Sequence, residues 1–191
     1  VPDSMSPGAA GYKAGVLTEG FGDDRRPTIL FGAGHVGRAL ILALAPLPFR
    51  VTWVDPRPDA FPAYLPANVT TDARADPVAV LAGVPDGAFV LAMTHSHPLD
   101  LAICAAALQD DRFPYVGVIG SQTKRARFVS QLIRGGLSPT RVAALVCPIG
   151  DGGVSGKAPA IIAAMTVAEL LLRDEAVRMG LGHAAEMGGR A

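Results

Sequence analysis

From Pro27 onward, short apolar runs alternate with longer amphipathic stretches, and the two periods separate strands from helices. Residues 28–32 predict a strand, 34–45 a helix and 50–55 a second strand, together one βαβ unit. A weak strand near 68–70 and a short helix over 76–82 follow. "GAFVLAMT", ending at Thr94, predicts a strong strand, and 98–109 a helix with Pro98 in first position and His97 as its N-cap. "YVGVIG", ending at Gly120, gives another strand, and 123–134 a helix capped by Ser121 or Thr123. A further apolar run at 142–147, a glycine-rich loop and a long helix over 159–173 close the series. This alternation predicts an α/β fold, a doubly wound and mostly parallel sheet with helices on both faces.

Residues 1–26 hold glycines and prolines without either period and are expected to be a flexible tail or linker. The ordered domain is expected over 27–174, with a helix end and flexible tail over 175–191. A chain of 191 residues, 50% of them apolar, suits one such domain with a substantial core. Its 17 basic residues balance 17 acidic ones, so overall charge points to neither nucleic acid nor an anionic membrane, and a small molecule or another protein is the expected partner. The two cysteines, Cys104 and Cys147, are too few for a disulfide framework, and no apolar run approaches the roughly 20 residues that span a bilayer. With no signal-peptide pattern at the amino end, the expected setting is the reducing cytoplasm.

Against that background four loops carry candidate chemistry. In "ILFGAGHVGRAL", Gly32, Gly34 and Gly37 follow a strand and open a helix, and Asp55 stands at the end of the next strand. That context meets the conditions of a dinucleotide fingerprint: Gly32 for the turn, Gly34 for close approach to phosphate, Gly37 for helix packing. Asp55 can accept from a ribose hydroxyl and Arg57 can pair with a 2′-phosphate, which keeps both NAD and NADP open. His35 either donates to the anion or lies exposed on the turn. In "THSHPLDLAIC", a doubly wound sheet would place Thr94, His95 and His97 in the same crevice. Asp100 suits the positive end of its helix. Cys104 is either a small buried apolar residue or a reactive thiol. A zinc site from His95, His97 and Cys104 is disfavoured because Cys104 lies about 9 Å farther along its helix.

In "GVIGSQTKRARF", Lys124, Arg125 and Arg127 occupy the first turns of a helix, where its dipole disfavours cations unless an anion binds; a solvated basic face is the alternative. Lysine occurs only at positions 13, 124 and 157, two of them in these loops. "CPIGDGGVSGKAP" departs from a phosphate-binding P-loop at Asp151 and Ala158, yet its glycines and Lys157 can still approach an anion.

Taken together, "GAGHVGRAL", "THSHPLDLAIC", "YVGVIGSQTKRARF" and "CPIGDGGVSGKAPAIIA" resemble the carboxyl-terminal domain of the XdhC/CoxI family, accessory proteins that mature xanthine dehydrogenase and related molybdenum hydroxylases. The resemblance implies a Rossmann-like domain that binds the molybdenum cofactor, as molybdopterin or its dinucleotide form. It also implies a cysteine desulfurase partner for sulfuration and an apo-molybdenum hydroxylase of the xanthine dehydrogenase type as recipient. The loop readings above make Gly32, Gly34, His35, Gly37, Asp55, Thr94, His95, His97, Ser121, Lys124, Arg125 and Lys157 the expected cofactor-binding residues, with Cys104 as the candidate for sulfur chemistry. Family members commonly carry an additional amino-terminal domain, which the stretch before Pro27 is expected not to form. An NAD(P)-dependent oxidoreductase and a nucleotide-sensing module are the alternatives, and a homodimer is left open.

Overall fold

The computed structural model describes residues 10–13, 16–19, 24–154 and 156–180. An antiparallel hairpin comes first, β1 (Ala10–Lys13) paired with β2 (Val16–Glu19), inside the segment expected to lack strands. Four residues per strand are too few for alternation to show in the sequence. The domain then runs β3 (Arg26–Phe31), α1 (His35–Leu44), β4 (Phe49–Val54), β5 (Val69–Asp72), β6 (Phe89–Ala92) and α2 (His97–Gln109). It continues through β7 (Tyr115–Val118), α3 (Gln122–Arg134), α4 (Pro139–Ala143), β8 (Leu145–Val146) and α5 (Pro159–Arg178).

β3 to β8 form one parallel sheet in the order β5-β4-β3-β6-β7-β8. Chain progression reverses between β3 and β6, so the loops leaving these two strands meet at the place where doubly wound sheets bind ligands. Alternation along each strand fills two cores. Leu30, Trp53, Phe89 and Leu91 pack with Leu40 and Leu44 of α1 and Leu170 of α5, whereas Ile29, Phe31, Val90 and Val118 pack with Ile103 and Leu108 of α2 and Phe128 and Leu132 of α3. Helices therefore cover both faces. Among the described residues no helix is long and apolar enough to cross a membrane.

Three boundaries differ from the sequence reading, each for a local reason. The short helix expected over 76–82 is a 3-10 helix at Val78–Gly83, closed by three-residue bonds such as Val80 N to the Pro77 carbonyl and Val84 N to the Leu81 carbonyl. The apolar run 142–147 divides, because Ser138 caps α4 with Pro139 in its first turn, so only Leu145–Val146 is left to pair with β7. At the other end α5 continues to Arg178, where Asp174 holds both Arg178 at 2.7 Å and Arg26 at 2.6 Å and so ties the start of β3 to the last helix.

Candidate functional site

The three glycines after β3 do different things. Gly32 has φ +108, and a Cβ there would stand 2.3 Å from the Met93 carbonyl oxygen, so this glycine lets the ends of β3 and β6 touch. A Cβ on Gly37 would stand 2.3 Å from the Gly32 oxygen, so the second contact seats α1 on the loop. The Trp53 indole N–H braces the same oxygen at 2.9 Å. Gly34 is unlike either. Its backbone, φ −78 and ψ −173, suits any residue, and a Cβ added to it meets no atom within 4 Å. Among the described residues nothing packs closely enough to require glycine here; what its missing side chain preserves is open space before the first turn of α1.

That turn is chemically bare as well. Gly34 is its N-cap with no side-chain hydrogen bond and no acid follows in the first turn, whereas α2, α3 and α4 are capped by Ser96, Ser121 and Ser138. The leading N–H groups of α1 therefore have no partner within the helix, the arrangement that receives phosphate at a helix N-terminus. His35 is exposed beside them.

Asp55 stands at the end of β4 and is 2% exposed. Its Oδ2 accepts from the Ala33 N–H at 2.8 Å and Arg57 Nη2 at 2.8 Å, and its Oδ1 accepts from Arg57 N at 3.0 Å and Nε at 2.9 Å. Burial pushes this carboxyl up, but the Arg57 guanidinium and the two backbone N–H groups outweigh it and hold the pKa at about 2. A carboxylate offers about four acceptor positions, and all are filled by the chain itself. Asp55 thus latches the glycine loop to β4 instead of presenting an acceptor for a ribose hydroxyl.

A second buried carboxylate organises the next two loops. Asp100, fully buried, accepts from Thr94 N at 3.0 Å and Thr94 Oγ1 at 2.8 Å through Oδ1, and from Lys124 Nζ at 2.7 Å through Oδ2. Lys124 also donates to the Ile119 carbonyl at 2.8 Å, and its ammonium lies 5.1 Å from the Phe128 ring centroid. One ion pair in the interior thereby joins the loops after β6 and β7. Lys124, expected to meet a ligand anion, pairs with Asp100 here and also lines the cleft at the carboxyl ends of β6, β7 and β8. Arg125 is likewise turned to the chain, donating to the Leu145 carbonyl at 2.6 Å. The helix is capped by Ser121, which accepts from Lys124 N at 3.2 Å.

Across that scaffold, His95 and His97 stand exposed. His97 is not the N-cap expected of it; Ser96 is, accepting from Leu99 N at 3.4 Å, since a serine hydroxyl reaches back to the helix more readily than an imidazole. Cys104 packs with Ile103 and Ala107 in the core at 0% exposure, and burial pushes its thiol far up. It packs as a small core residue and is not among the residues that line the cleft, and its burial disfavours the thiolate that sulfur chemistry would need. Cys147 is 4% exposed, and burial raises its thiol too.

A cleft of about 590 Å³ opens at the carboxyl ends of β6, β7 and β8. Thr94, His95, His97, Lys124 and Lys157 line it, with Ile149 and Ile162 as apolar wall. Ser121 lines a neighbouring cavity of about 390 Å³ between α2 and α3, which shares His97 and Lys124 with the first. Gly32, Gly34, His35, Gly37 and Asp55 are placed beside the cleft at the β3–β6 reversal and do not line it. Sequence reasoning missed the strut beneath the last loop: Tyr115 donates to Glu169 Oε1 at 2.9 Å, and Glu169 Oε2 accepts from Gly150 N at 2.7 Å. These partners lie 54 and 19 residues apart, and no local pattern links them.

Comparison with known proteins follows the same outline. The family model of the XdhC Rossmann domain matches residues 28–170. Among solved structures, a protein from Bacillus halodurans described as a xanthine dehydrogenase superposes with a TM-score of 0.65 at 23% identity, over 86% of this chain and 45% of that one. The GsuK RCK domain gives 0.44 at 18% identity, over 64% of this chain and 26% of that one. A protein from Burkholderia pseudomallei described as a putative exported protein gives 0.36 at 18% identity, over 78% and 66%. No curated protein matches the chain. The chain spans less than half the length of the Bacillus halodurans protein, and at that identity the likeness is one of fold.

Proposed function

Since the chain belongs to the XdhC Rossmann-domain family, we propose that it is an accessory protein of a molybdenum hydroxylase of the xanthine dehydrogenase type, which binds the molybdenum cofactor by its phosphate and passes it to the apo-enzyme. The observation that carries this reading is Gly34: a glycine that packs against no other described residue, standing before a helix start that, like that of α5 and unlike those of α2, α3 and α4, has no side-chain cap. A phosphate there would accept from the N–H groups of His35, Val36 and Gly37, favoured by the helix dipole. The exposed His35 imidazole can add a hydrogen bond.

The organic part of such a ligand has a place to go. The adjoining cleft combines apolar walls with the polar side chains of Thr94, His95, His97 and Lys157, a mixture suited to a flat, hydrogen-bonding heterocycle such as a pterin, and its volume lies in the range of small-molecule sites. When bound, the cofactor supplies the molybdenum centre that the hydroxylase needs. What this chain contributes is positioning: Asp55 holds the glycine loop, Asp100 and Lys124 hold the histidine loop, and Glu169 holds the loop that carries Lys157. Both thiols of the chain are buried, so sulfuration is assigned to the desulfurase partner and not to Cys104.

The test is identification of what the protein retains. Purified protein is incubated with molybdopterin, NAD(H), NADP(H) and ATP together, passed through a desalting column, and the bound fraction is identified by mass spectrometry. Retention of molybdopterin is expected; retention of a nicotinamide dinucleotide in its place would contradict the proposal and favour the oxidoreductase.

A further inference from the structure

A dinucleotide on a doubly wound sheet straddles the strand reversal, with its nucleoside half over the second strand, where an acid at the strand end accepts from the ribose. Here that half of the crevice is taken up by the chain. All four acceptor positions of Asp55 are filled, three of them by Arg57, whose side chain is 53% exposed and lies outermost. Arg38, from the first turn of α1, donates to the Ala60 carbonyl at 2.6 Å and to the Ala33 carbonyl at 3.3 Å, so it spans from the glycine loop to the turn that follows β4. On the opposite side of the reversal the loops are also joined, by Lys124 to Asp100 at 2.7 Å and by Gln122 to Asp151 at 3.3 Å, yet a cleft of about 590 Å³ stays open there.

We infer that the cradle at Gly34 is one-sided: it takes a phosphomonoester whose heterocycle lies over β6 to β8, and Arg57 excludes nucleoside-extended ligands by occupying the ribose acceptor Asp55. This rests on the phosphate-binding reading above and deepens it, because it selects the monophosphate form of a pterin ligand over a form extended through a diphosphate to a nucleoside. Arg57 acts here as a specificity-determining residue. It touches no part of the favoured ligand; it withholds a contact from the disfavoured one, which is how discrimination against a polar group is achieved when the site offers no partner. Removing its side chain leaves Asp55 bonded by the Ala33 N–H and the N–H of residue 57, and frees two acceptor positions for a ribose diol.

Equilibrium binding of two probes tests this, a fluorescent pterin phosphomonoester and NAD⁺ as competitor, at fixed ionic strength. In the wild type the pterin phosphomonoester should bind at least about tenfold tighter than NAD⁺. Arg57→Ala should leave the pterin affinity within about twofold and tighten NAD⁺ about tenfold, two exchanged hydrogen bonds being enough for that. Arg57→Gln, which keeps a longer side chain without the fork, serves as the second variant, and the melting temperature of each shows that the fold is retained. Equal affinity for the two probes, an unchanged NAD⁺ affinity in both variants, or no binding of the pterin phosphomonoester would overturn the inference. Restoration of an apo-hydroxylase by a protein that prefers NAD⁺ would overturn the one-sided cradle alone, whereas one-sided binding without restoration would overturn the accessory role alone.

Discussion

Substitutions at the three loop glycines should separate folding from binding. At Gly34 alanine needs no backbone change, since φ −78 and ψ −173 is ordinary extended geometry, and its Cβ enters open space. Two small effects then oppose each other. Alanine restricts the unfolded chain and stabilises by about 0.4–1 kcal/mol, while it is a poorer N-cap than glycine by about the same amount. The net change should lie within about 0.5 kcal/mol, or about 2 °C in melting temperature for a domain of this size. Gly32→Ala is another matter: left-handed backbone costs about 1–2 kcal/mol, and relieving a 2.3 Å approach to the Met93 oxygen by shifting β3 from β6 costs about 1–3 kcal/mol more. Its melting temperature should fall by about 5–15 °C. The larger Gly34→Val should also melt like the wild type, yet fill the space where a phosphate would sit. Loss of charge-assisted hydrogen bonds worth about 1.5–3 kcal/mol should weaken molybdopterin binding roughly 10- to 100-fold. Calorimetric melting together with titration of molybdopterin reads both quantities. A Gly34→Val protein that is stable and binds within twofold of the wild type would refute the cradle.

Three further outcomes follow from the latches. Asp55 has its pKa lowered to about 2 when folded, against about 3.9 unfolded, so its stabilisation is complete above about pH 4 and is lost as pH falls toward 2; urea melts should show about 2 kcal/mol of acid-sensitive stability that Asp55→Asn lacks. Lys124→Ala strands the fully buried Asp100 carboxylate and should cost about 3–5 kcal/mol, most of it recovered by combining Lys124→Met with Asp100→Asn; a cost under about 1 kcal/mol by urea melting would show that the pair is not buried. Neither cysteine should react with a disulfide reagent in the native protein and both should react once it is unfolded, and Cys104→Ser should not alter restoration of the hydroxylase per folded molecule.

What could be read in the sequence is what local pattern encodes. Apolar runs of four to six residues marked β3, β4, β6 and β7, and helical stripes marked α1, α2, α3 and α5, because each buries a face of its own. The glycine loop was also legible, its spacing and flanking elements being local. Charge partners were not. Lys124 and Arg125 look like an anion site when read along α3, but Asp100 comes from α2 and the Leu145 carbonyl from β8, and only the sheet order brings them together. Asp55 follows the fingerprint in position and departs from it in chemistry, because Arg57, two residues on, folds back over it. Cys104 follows Ile103 and precedes Ala107 on α2, a setting in which an apolar neighbourhood decides its chemistry.

The central claim is tested most directly by reconstitution. A purified apo-molybdenum hydroxylase of the xanthine dehydrogenase type is mixed with molybdenum cofactor and the desulfurase, with and without this protein, and the initial rate of substrate hydroxylation is followed. The account predicts that the wild-type protein raises the recovered activity, that Gly34→Val does not, and that His95→Ala combined with His97→Ala falls between them. Recovery that is the same without the protein, or undiminished with a stably folded Gly34→Val variant, would contradict it.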